Sequence, residues 1–140
     1  MRAKEIARQI ADAKKAADSV MSDFLDKTEP EAWELEQAIR RYIALKLQLD
    51  EAEVSDNITI MVRISVSKAT GIPLEKLKEM DRPGACGSAP AVLAKRVLLF
   101  LDVQKKLNVS MPPEKAGSIQ TTHDLTEILY PLLKGRDEAA

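Results

Sequence analysis

Between Ala3 and Asp26, apolar residues return at alternating steps of four and three: Ile6, Ile10, Ala13, Ala17, Val20 and Phe24. That spacing predicts one long amphipathic helix with a coiled-coil-like seam. The many alanines favour helix and let a neighbouring helix come close. "DKTEPEAW" interrupts the period. Thr28 and Glu31 have the spacing of a capping box, and Pro30 suits a first helical turn. A second helix is predicted from about Glu31 to Glu51. Its seam is Leu35, Ala38, Tyr42, Leu45 and Leu49, widened by Ile39, Ile43 and Leu47. So short a connection makes the two helices an antiparallel hairpin, with Trp33 at the turn end, where it is expected to close the hairpin's core. The stripe is too broad for one partner helix. The seam residues Leu35, Ile39, Tyr42, Ile43 and Leu47 therefore need a second partner, either the rest of the chain or another copy in a homodimer.

The polar run "LDEAEVSDN" places a boundary near residue 54. Beyond it, Ile58, Ile60, Val62, Ile64 and Val66 alternate as a half-buried strand would. The same stretch has Ser55 as an N-cap and Gly71 as a C-cap, and Ile58, Met61, Val62, Ser65, Val66 and Ala69 share one helical face. Periodicity leaves both readings open. Glycines and prolines punctuate residues 71–90, where Leu74, Leu77 and Met80 suit one short anchoring turn. A long apolar segment from Ala91 to Leu107, carrying Leu93, Val97, Leu98, Phe100 and Leu101, suits a central helix. A link at 108–113, a short stretch to Ile119 and a last helix from about Thr122 to Leu133 follow. Thr121 or Thr122 caps that helix, and Asp124 lies in its first turn. Pro131 is expected to end or kink it, leaving residues 136–140 as a frayed tail.

Basic and acidic residues nearly cancel, 21 against 22, which argues against a sequence-blind nucleic-acid binder. A single cysteine, Cys86, excludes an intrachain disulfide, and with one histidine, His123, no metal site is expected. No run approaches the roughly 20 apolar residues of a membrane span. The expected location is the cytoplasm.

Residues 55–133 resemble an acyl carrier protein. The segment order matches: an amphipathic stretch ending in Gly71-Ile72, a Leu74-Glu75-Lys76-Leu77 turn, a long loop, a long helix, a short helix and a last one. The link Leu107-Asn108-Val109-Ser110-Met111-Pro112-Pro113-Glu114, followed by Ile119-Gln120-Thr121-Thr122, is similar to the carrier family's own link. The resemblance implies a carrier-like four-helix bundle at 55–135 and reads 58–70 as helix; with the helical hairpin at 1–54, an addition beyond the carrier pattern, the expected fold is all-α. The resemblance also implies a serine at the start of the long helix bearing a 4′-phosphopantetheine arm, an interior that admits an acyl chain, acyl-transfer enzymes as partners, and no catalysis by the carrier itself.

The chain departs from that family twice. "PGACGSAPAVLAKRV" has Gly84 and Gly87 but no Asp-Ser pair, and Ser88 is the serine nearest the helix start. The long helix is also basic where carriers are acidic, with Lys95, Arg96, Lys105 and Lys106 against Asp102. Ser88 is thus the candidate attachment site, or else a plain N-cap. The four cations are the candidate docking patch for an acidic partner, or else a solvated face. A Cys86 thiol activated by His123 would make a third, enzymatic reading. The other reading without an arm is a helical interaction or dimerisation protein.

Overall fold

A computed structural model describes residues 2–80 and 89–139, with side chains over 2–79 and 91–135; Cys86 and Ser88 lie outside these spans. Among the described residues the fold is all-α. It has α1 (Arg2–Leu25), α2 (Ala32–Lys46), α3 (Ile58–Thr70), α4 (Leu74–Met80), α5 (Ala89–Leu107) and α6 (Thr122–Ala139), with 3-10 turns at Glu51–Glu53 and Pro113–Ser118.

The chain turns back at 26–31, and Lys27 pairs with Glu34 across the turn at 3.1 Å. The cap differs from the expected one: Glu34, not Glu31, closes it, its carboxylate accepting from the Glu31 N–H at 2.8 Å. The Glu31 carboxylate accepts instead from the Trp33 indole at 2.8 Å. Trp33 is accordingly 55% exposed and does not close the hairpin's core. α2 also stops earlier than its apolar period suggests. Leu47 caps it, and Gln48 takes a left-handed φ of 55° that ends the helical path.

α1 outlasts α2 by nine residues, about 14 Å of helix. Only its C-terminal part, at Ala17, Met21 and Phe24, is buried. One side of α2 packs on α1 and the other on α6. Tyr130 of α6 donates its hydroxyl to the Pro30 carbonyl at 2.9 Å. This second partner explains the breadth of the α2 stripe. Leu35, Ile39, Tyr42 and Ile43 are fully buried and Leu47 nearly so, all inside one chain. The seam is therefore closed internally, and a homodimer across these five residues is corrected: no part of them is left for another copy.

Residues 58–70 are helical, although their β-branched content favours strand locally. The helical face Ile58, Met61, Val62, Ser65 and Val66 is buried, while Ala69 stays exposed. The N-cap is Asn57 rather than Ser55: its Oδ1 accepts from the Ile60 N–H at 2.9 Å. Ser55 acts one step earlier, accepting from the Asn57 N–H at 3.2 Å. Gly71 ends the helix with φ 77°.

The starts of α3 and α6 are tied side by side. Ile58 N donates to Gln120 O at 2.9 Å and Thr122 N to Asp56 O at 2.8 Å, with an isolated antiparallel bridge between Asn57 and Thr121. Thr121 caps α6 by accepting from the Asp124 N–H at 3.0 Å. Pro131 neither ends nor interrupts α6, whose backbone runs on to Ala139, beyond the expected stop and into the expected tail. Pro131 is exposed, so the Glu127 carbonyl that loses its donor faces the wet side of the helix. One continuous apolar core joins α1 and α2 to the elements that follow residue 54.

Candidate functional site

The candidate site is α5. Pro90 falls in its first turn, where a missing N–H costs no intrahelical bond. Its inward stripe is Val92, Leu99, Phe100, Val103 and Leu107, all buried. Of the apolar residues singled out from the sequence, only Phe100 and Leu107 point inward. Leu93, Val97, Leu98 and Leu101 are 58%, 46%, 61% and 54% exposed. A helix that is apolar on two sides gives a period without saying which side faces the core.

The expected basic patch does not form as one surface. Arg96 belongs to the inward side: it donates to the carbonyls of Ile119 and Ala116, and its guanidinium lies 5.2 Å from the Phe100 ring centre. Burial pulls its pKa below the ordinary arginine value. Arg96 thus fastens the 3-10 turn to α5 and is not free for a partner. Lys106 pairs with Asp18 of α1 at 3.0 Å, and Asp102 pairs with Lys46 of α2 at 3.2 Å. Lys95 is half-buried, and that burial lowers its pKa. Lys105 is exposed. What α5 turns outward is therefore an apolar stripe with Lys95 and Asp102 along one edge and Lys105 near its end. The sequence does carry a signal for this: Leu93, Val97 and Leu101 recur every four residues, out of phase with Leu99, Val103 and Leu107.

His123 lies elsewhere, on the α2–α6 groove that Trp33 and Tyr130 help to line. Its Nδ1 is 2.8 Å from Glu36 and its Nε2 3.0 Å from Glu127. The hydrogen bond to Glu36 and then the charge of Glu127 raise its pKa above the usual imidazole value. An imidazole held between two carboxylates is stabilised as the doubly protonated cation, which is a poor base for activating a thiol. Cys86, the other half of that arrangement, is outside the described residues, as is Ser88. Ser88 directly precedes Ala89, the first residue of α5. Among the described residues no group of three His, Cys, Asp or Glu side chains is arranged to hold a metal. No described helix is long and apolar enough to cross a membrane. Neither a family model, nor a curated protein, nor a solved structure is significantly similar to this chain.

Proposed function

We propose that the chain is a divergent acyl-carrier-like protein that carries an acyl group on a phosphopantetheine arm at Ser88, docks on acyl-transfer enzymes, and catalyses nothing itself. The observation that carries the reading is the entry to α5: Ser88 immediately precedes the first residue of the long helix. Two further features support it. The elements after residue 54 follow the carrier order, and the joined starts of α3 and α6 bring the first and last helices of that order together.

Incubation with coenzyme A and a broad-specificity phosphopantetheinyl transferase tests it. The intact mass should rise by one phosphopantetheine in the wild type and not in Ser88→Ala. No gain in either protein under any condition rejects carriage. The second reading, a helical interaction protein without an arm, is favoured by one observation: the outward leucines of α5. It predicts no gain in mass.

A further inference from the structure

We propose that the groove between α2 and α6 receives an arginine side chain of a partner protein, its guanidinium stacked on Trp33 and paired with Glu36 and Glu127 in place of His123. The groove has a volume of about 660 Å³, with Trp33 and Glu36 on one wall and His123, Glu127, Tyr130 and Pro131 on the other. Its polar lining is rich in acceptors. Glu36 and Glu127 bring carboxylates from opposite walls. Pro131 has no N–H, so the Glu127 carbonyl one turn earlier lacks its helical donor and adds an acceptor beside them. A third carboxylate, Glu31, is held on the Trp33 indole N–H at 2.8 Å. Trp33 itself is 55% exposed, and of the aromatic rings an indole face attracts a cation most strongly.

The cation already in the groove defines the guest. The His123 ring spans the two carboxylates, with Nδ1 2.8 Å from Glu36 and Nε2 3.0 Å from Glu127. The carboxylates are thus spaced for a flat cation whose coplanar N–H groups point to two sides. A guanidinium has that chemistry: planar, permanently charged, able to pair with carboxylates and to stack on an aromatic face. An ammonium is a point charge with no plane to lay on the indole. The His123 and Glu127 side chains are 64% and 68% exposed, so the ring has room to swing out and the guest can enter from solvent. His123 therefore gates the groove. It faces Glu36 from α2 and Asp124 and Glu127 from α6. Further along the groove come Glu31, on the Trp33 indole, and Lys134, over the Tyr130 ring. Among these side-chain types, imidazole is the one that changes charge between about pH 5 and 8. Protonated, it occupies both carboxylates; neutral, it yields them.

The inference does not depend on an arm at Ser88, and its test uses the full chain without coenzyme A. Trp33 is the single tryptophan, so intrinsic emission reports on the surroundings of this ring alone. A blocked glycine–arginine–glycine peptide, titrated into the millimolar range, should shift that emission to the blue and saturate at about pH 8. The peptide with uncharged citrulline in place of arginine should leave it unchanged. The apparent affinity for the arginine peptide should be at least about fivefold weaker near pH 5.5. Glu36→Gln should weaken binding at the higher pH while the far-ultraviolet circular dichroism stays helical. His123→Ala should bind as tightly at the lower pH as at the higher, a change that a purely structural bridge would not produce. No saturable shift with the arginine peptide at the higher pH, in wild type and His123→Ala alike, overturns the proposal. An equal response to the citrulline peptide overturns it as well, and so does a pH dependence that survives in His123→Ala.

Discussion

His123 bridges two helices through two carboxylates, Glu36 on α2 and Glu127 on its own helix. Its folded pKa is raised above 6.5. Below pH about 6.5 the ring is protonated in folded and unfolded chains alike, and its contribution to stability is complete. As pH climbs through the raised folded value, that contribution is lost. The thermal midpoint of the wild type should therefore fall from pH 6.5 upward more than that of His123→Gln. Proton-detected titration of the imidazole should give a lower pKa in Glu36→Gln; an unchanged value would contradict the bridge. Tyr42 and Ile43 argue differently. Both are fully buried, so Ile43→Ala should cost about 2–5 kcal/mol in urea unfolding. Tyr42→Asp should unfold the chain rather than release a dimer. Arg96 is the residue that sequence reasoning placed worst. A charged side chain on an apolar helix reads as solvated, and nothing local announces that two carbonyls of a 3-10 turn await it.

α3 shows what a sequence does and does not disclose about an element. Its β-branched residues favour strand by a few tenths of a kcal/mol each, yet the Asn57 cap, the Gly71 stop and a buried helical face outweigh them. The caps were visible in the sequence to within two residues; the competition between alternation and helical face needed tertiary packing to decide. Gly71 offers a clean test. A Cβ there would meet no atom within 4 Å, so its φ of +77° is the whole cost. Gly71→Ala should destabilise by about 1–2 kcal/mol, read as a lower midpoint in urea with an unchanged slope. α5 failed in the opposite way. Its existence and length were plain from seventeen apolar-rich positions, but two stripes of equal period left its orientation undetermined. α6 ran past Pro131 because proline's defect fell on an exposed face, a fact about orientation rather than composition.

At the scale of the whole molecule, one core ties the hairpin to the elements after residue 54. The breadth of the α2 stripe foretold a second partner, and α6 turns out to be that partner. With the α2 seam buried inside the chain, α5 keeps four large apolar side chains outward, and Ser88 directly precedes its first residue. The most direct measurement for the central proposal is residue-level mass mapping of the chain after treatment with coenzyme A and a phosphopantetheinyl transferase. The account predicts the modification on the peptide that carries Ser88 and on no other. An unmodified chain, or a group attached to a different hydroxyl, would contradict it.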